Sequence, residues 1–226
     1  MSLSGYDSLI ASLIPGYTSL ARLSVSLLAA SPRAQVRGAS VLVAGCGSGA
    51  ELLAARQLRP DWHLTALDPS EDMLALARDK LHAQPGDPSS MGPIQWVQGT
   101  VEDLSGEPVF DGAMAVLVLQ GLPDDGSKRR FLSSLSQSLH PGAQVVLVDQ
   151  MQLERSSIEH QLIMARQLFQ RSESTDPICG QTMVLGEVHP MTLSRLTGLL
   201  EITGFSDPLP VFRALDYEGF LVQRLS

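Results

Sequence analysis

Gly45, Gly47 and Gly49 stand at alternate positions in VLVAGCGSGAELLAA (41–55), directly behind a short apolar run. Glycine permits a left-handed backbone and lets another molecule approach the main chain closely. A helix opening at Ala50 would bring unpaired N–H groups to the same place. The implied chemistry is the holding of a polar ligand against backbone. Gly45, Gly47 and Ala50 also satisfy the G-x-G-x-x-G/A fingerprint, so the loop alone does not separate a nucleoside from a dinucleotide. Asp68 ends the next apolar run, 19 residues after Gly49. A carboxylate at such a strand end can accept hydrogen bonds from both ribose hydroxyls. Asp68-Pro69-Ser70 also opens a helix, where aspartate is a good cap, but Ser70 can take that duty and free Asp68. VQGTVEDL (97–104) then sets Glu102 and Asp103 just past a third run, where an adenine amino group needs an acceptor.

The elements that must position these residues follow from periodicity. Residues 6–30 read as one or two helices broken at Pro15-Gly16. Apolar runs at 41–45, 62–68, 94–99, 110–120 and 143–149 read as strands, the first as a central parallel one. Helices are expected at 50–59, 70–83 and 128–142, the last stopped by Pro141-Gly142. Strand and helix alternate from 41 to 149, which means βαβ units and a parallel sheet covered on both faces. Beyond it, 153–174 reads as a long amphipathic helix, 175–190 as irregular and 192–205 as a helix running into glycine. LPVFRAL and YEGFLVQRL close the chain as two antiparallel strands. The expected fold is α/β: a Rossmann-like, doubly wound, mostly parallel seven-stranded sheet with its last strand antiparallel, plus a helical N-terminal cap and an insertion. The division is one domain over 1–226, with a cap at 1–37, a core at 38–150, a helical lid at 151–190 and a tail at 191–226.

Composition narrows the classes. A chain of 226 residues can bury a full core. Its net charge of −8 argues against broad nucleic-acid binding, and Lys128-Arg129-Arg130 reads as a solvated helix face. No apolar segment is long enough to span a bilayer, and the first residues lack a basic n-region, so no membrane and a cytoplasmic location are expected. Two cysteines, Cys46 and Cys179, make neither a disulfide framework nor a zinc site, and no metal is expected.

VLVAGCGSGAE, LDPSEDMLALAR, QGTVEDL, FDGAMAVLVLQ and LHPGAQVVLVD occur in the order and spacing of class I S-adenosylmethionine-dependent methyltransferases, and residues 38–150 resemble that family. The resemblance implies S-adenosylmethionine as cofactor. It places the backbone of Ala44–Gly49 at the methionine part, with Gly45 and Gly47 nearest. Asp68 is implied at the ribose, with Met73 beside the ligand. Val101 and Glu102 are implied at adenine, and Leu117 to Gln120 beside the methyl group. The chain departs from many relatives at Thr100, where Asp is usual, and at Gln120, where His is common. The ends, YDSLIASLIPGYTSL and MTLSRLTGLLEITGFSDPLPVF, resemble the branch that carboxymethylates the wobble uridine of tRNA, which implies a homodimer. That branch reads a carboxylated cofactor through an arginine where this chain has His189, and Arg195 lies on the following helix. The architecture therefore carries over and the unusual cofactor does not.

Methyl transfer needs alignment and desolvation more than acid–base help, so the family shares no triad. Tyr17, behind Pro15-Gly16, is a candidate roof over the cofactor, and His189, in an irregular segment before a proline, a candidate acid/base or acceptor contact. His160, His140, His63 and His82 read as surface, turn, strand and helix-end residues, and Cys46 as a small filler. The expected acceptor is a small molecule. tRNA modification is the alternative within the class. A nucleotide-dependent oxidoreductase and a non-catalytic scaffold are the alternatives outside it.

Overall fold

The computed structural model describes residues 6–84, 91–104, 107–152, 159–173 and 187–226. In chain order these give α1 (Tyr6–Leu13), α2 (Tyr17–Ala29), β1 (Ser40–Ala44), α3 (Ala50–Leu58), β2 (His63–Asp68), α4 (Glu71–His82) and β3 (Ile94–Gln98). A 3₁₀ turn (Val101–Asp103), β4 (Phe110–Val116), a second 3₁₀ turn (Leu119–Gly121), α5 (Ser127–Ser138) and β5 (Leu139–Gln150) follow. The chain closes with α6 (Glu159–Glu173), α7 (Leu193–Ile202), β6 (Leu209–Ala214) and β7 (Tyr217–Gln223).

The strand order is β3-β2-β1-β4-β5-β7-β6. β1 to β5 pair in parallel, while β7 runs antiparallel to both β5 and β6. Alternation along β1 shows how the sheet is sandwiched. Leu42 and Ala44 enter a core with Phe131, Leu132 and Leu135 of α5 and Leu196, Leu199 and Leu200 of α7. Val41 and Val43 enter the opposite core with Leu20, Val25 and Leu28 of α2, Leu52 of α3 and Leu74 of α4. Successive side chains of a strand point to opposite faces, so a continuous apolar run is what a doubly covered strand requires. A third, smaller cluster sits above the sheet edge, where Ile10, Leu13 and Ile14 pack on Tyr217.

Two expectations are corrected. Helix α5 ends at Ser138 rather than at the Pro-Gly pair, and β5 begins at Leu139, so Pro141 and Gly142 lie at the start of a long strand. Proline is tolerated there because the β4–β5 pairing is irregular between Phe110 and Gly112, opposite this segment. Lys128 is not solvated: it is fully buried, its ammonium donating to the carbonyls of Leu119 and His189, the latter at 2.8 Å. Arg129 and Arg130 are exposed as expected. The helix read over 153–174 is seen from residue 159, and the segments 153–158 and 174–186, with Cys179, lie outside the described residues.

Candidate cofactor site

β1 to β3 wind outward in one direction and β4 starts the other half, so the order reverses between β1 and β4. Open α/β sheets bind ligands beyond the strand C-termini at such a switch point. A cleft of about 420 Å³ lies there. Its floor is the loop after β1, with Gly45, Cys46, Gly47 and Ser48. Asp68, Pro69 and Met73 form one wall, and Val116 to Val118, Gly121 and Leu122 the other. Tyr6 and Ile10 from α1 and Tyr17 from α2 form the roof.

The three glycines have different physical reasons. All have positive φ, at 68°, 49° and 89°. A Cβ on Gly45 would lie 2.6 Å from Val118 Cγ2, so the loop is pressed against the end of β4. A Cβ on Gly49 would meet Ala77 Cβ at 2.9 Å, so this glycine serves the close approach of α3 to α4. At Gly47 the nearest atom is the Tyr6 hydroxyl, 4.0 Å away, and the open space is that of the cleft. The loop is fixed from below, where Gly45 and Cys46 both donate to the Leu67 carbonyl at 2.8 and 3.0 Å.

Asp68 is 7% exposed and faces the cleft. Its Oδ2 accepts from Gly47 N at 2.8 Å and its Oδ1 from Ser70 N at 2.9 Å. Ser70 caps α4 by accepting from Met73 N at 3.3 Å, as the sequence suggested. The carboxylate is thus locked in orientation by two backbone donors while each oxygen keeps a lone pair for a ligand. Leu117 carries φ of 61°, a conformation that non-glycine residues rarely adopt, and its N–H donates to the Val148 carbonyl at 2.6 Å. That held strain sits where β4 meets the cleft.

The cleft brings together Tyr17, Gly45, Gly47, Asp68, Met73 and Leu117 from the residues expected at the site. Ala44 ends β1 directly below, buried. Val101 is buried and Glu102 exposed in the 3₁₀ turn after β3, beside Asp68, whose carbonyl accepts from Gly99 N at 3.1 Å. Neither lines the cleft as described. Thr100 closes a capping box with Asp103, its N–H donating to Asp103 Oδ2 at 2.8 Å, which occupies the neighbouring acid. Gln120 is turned into the sheet. Its Oε1 accepts from Gln150 N at 2.7 Å and its N–H donates to Asp149 Oδ1 at 2.9 Å. His189 lies outside the cleft lining, its N–H donating to the Gln120 carbonyl at 2.6 Å. Arg195 is exposed and paired with Asp124 at 2.9 Å.

Sequence reasoning missed Tyr6, Ile10 and Glu51. Tyr6 and Ile10 reach the cleft only through tertiary packing of α1. That helix is fastened down by Asp7, which accepts from Ser48 of the glycine loop and pairs with Lys80 of α4. Glu51 is 6% exposed and lines the cleft. Burial pushes its carboxyl up to about 7, against the pull of its own backbone N–H. Burial and nearby carboxylates also push the Tyr6 phenol up to about 12 and raise Tyr17 further still. Cys46 is raised to about 12 by the same causes, so its thiol stays protonated.

The charge of the lining decides what fits. Among the described residues it holds the carboxyl groups of Glu51 and Asp68 and no Lys, Arg or His. Such a lining suits a nucleoside that carries positive charge and offers nothing to a pyrophosphate or an additional carboxylate. No group of three or more metal-ligating side chains occurs among the described residues.

Comparison with known proteins agrees. The methyltransferase-domain family matches residues 41–142. No curated protein matches. Human N-acetylserotonin methyltransferase, solved in complex with S-adenosylmethionine, superposes with a TM-score of 0.61 at 19% identity over 93% of this chain and 53% of its own. The chain therefore spans about half the length of that relative. A Methanosarcina mazei S-adenosylmethionine-dependent methyltransferase gives 0.62 at 20% identity over 84% of this chain and 94% of its own. A cyclopropane synthase from Mycobacterium tuberculosis gives 0.62 at 19% identity, covering 86% and 63%. At such identities the structural likeness establishes the fold alone. Residues 41–142 match the methyltransferase-domain family, and the chain has the fold of the S-adenosylmethionine-dependent methyltransferases.

Proposed function

We propose that this protein transfers the methyl group of S-adenosylmethionine to a small, largely apolar or aromatic acceptor. The observation that carries this reading is the cleft at the switch point, lined by Gly47, Asp68 and Glu51, with no basic side chain among the described residues, and roofed by Tyr6, Ile10 and Tyr17. The cofactor, when bound, supplies a methyl carbon already activated by sulfonium.

The chain's own residues supply position. Asp68, held by two backbone donors, orients the ribose, and Gly47 admits the ligand to the loop. Val101 and Glu102 lie beside the Asp68 end of the cleft and serve the adenine. Leu117, Val118 and Leu122 face the roof and shield the reacting carbon from water. Alignment of this kind supplies roughly 7–11 kcal/mol of a barrier. Tyr17, whose phenol stays protonated, can donate a hydrogen bond to an acceptor but cannot act as a base near neutral pH. His189 is the candidate acid/base or acceptor contact, its segment tied to the second 3₁₀ turn by its N–H.

The roof also sets acceptor size. It is built from one closed helix pair, with Gln170 of α6 donating to the Leu13 carbonyl at 3.4 Å behind it. Incubation with S-adenosylmethionine and panels of small phenols, thiols and amines, read as S-adenosylhomocysteine formed, tests this. Turnover with a small acceptor is expected. Turnover with tRNA alone would overturn the acceptor assignment.

A further inference from the structure

Glu51 is a buried acid, and among the described residues no cation pairs with it. It is the second residue of α3, 6% exposed, and it borders the cleft. The groups that face it are Asp7 and Tyr6 from α1, Tyr17 from α2, Cys46 from the loop and Asp68 from β2, all of them acidic or neutral. The nearby cations are committed elsewhere, Lys80 to Asp7 and Arg78 to Glu71. Among the described residues its stabilising contact is with its own backbone N–H, at the positive end of a helix. Burying a carboxylate in this way is costly unless a positive partner arrives. Asp68 is not in the same position, because Gly47 and Ser70 already donate to it.

We propose that Glu51 accepts the charged α-amino group at the amino-acid end of the cofactor, and that the cleft thereby selects ligands carrying that cation. This rests on the cofactor reading above. In the empty cleft the acid shares a proton near neutral pH. Arrival of an ammonium favours the carboxylate, so binding expels that proton.

Calorimetric titration with S-adenosylhomocysteine and with its analogue lacking the α-amino group tests the assignment. The unaltered protein is expected to prefer S-adenosylhomocysteine by at least about tenfold, and Glu51→Gln to abolish that preference while leaving affinity for the deaminated analogue within about twofold. Equal loss for both ligands, or a preference kept by Glu51→Gln, would overturn the proposal. A second measurement needs no variant. At pH 7, titrations in buffers of different ionisation enthalpy should show net proton release with S-adenosylhomocysteine and none with the analogue. Absence of that release would also overturn it. Failure of the unaltered protein to bind S-adenosylhomocysteine at all would instead refute the cofactor reading itself.

Discussion

Asp68 has two duties, and they can be separated. It fixes the glycine loop through Gly47 N and the start of α4 through Ser70 N, and it presents its remaining lone pairs to the cleft. Asp68→Ala should weaken S-adenosylhomocysteine binding by about 1.5–3 kcal/mol, the range for hydrogen bonds to a charged group. Titration of the folded variant checks this, and an unchanged affinity would reduce Asp68 to a loop fastener. The acid was legible in the sequence because its strand-end position and the neighbouring Ser70 cap are both local. Glu51 was not. An acid in the first turn of a helix ordinarily complements the dipole at the surface, and only the packing of α1 and α2 over α3 buries it.

Between elements, the glycine loop predicts a division of labour. Gly49→Ala would set a Cβ 2.9 Å from Ala77 and hold alanine at φ of 89°. It should lower stability by about 1–3 kcal/mol through the α3–α4 contact, measured by urea unfolding. Gly47→Ala meets no atom closer than 4.0 Å but occupies cleft space, so it should weaken cofactor binding more than it weakens the fold. The reverse pattern would mean that the roles are misassigned. Strands and helices of the core were readable because each repeats a local period. The Lys-Arg-Arg run was misread for the opposite reason. Three adjacent cations look alike in sequence, while a helix sends only one of them inward, where Lys128 ties Leu119 to His189. Gln120 was placed beside the methyl group by analogy with relatives, and its side chain ties the second 3₁₀ turn to β5.

At the scale of the whole molecule, two buried acids make stability depend on pH. Burial raises Glu51 from 4.5 to about 7 and Asp149 from 3.8 to about 7. Between those ordinary values and pH 7 the folded chain keeps protons that the unfolded chain has lost, so stability falls as pH rises through that window. The cofactor-free protein should therefore melt higher at pH 6 than at pH 8, by on the order of 2–4 °C for each kcal/mol involved. A melting temperature that rises over that interval would contradict the raised values of these two carboxyls. The cap and tail close over the sheet edge through Ile10, Leu13, Ile14 and Tyr217, a contact across the full length of the chain that no local pattern announces. No described helix is long and apolar enough to cross a membrane.

The cofactor is the centre of this picture, and one calorimetric experiment addresses it: titration of the purified protein with S-adenosylhomocysteine and, separately, with NADH. A cleft with two acids and, among the described residues, no basic side chain should bind S-adenosylhomocysteine at one site and leave NADH, with its pyrophosphate, unbound. Binding of NADH in place of S-adenosylhomocysteine would contradict it.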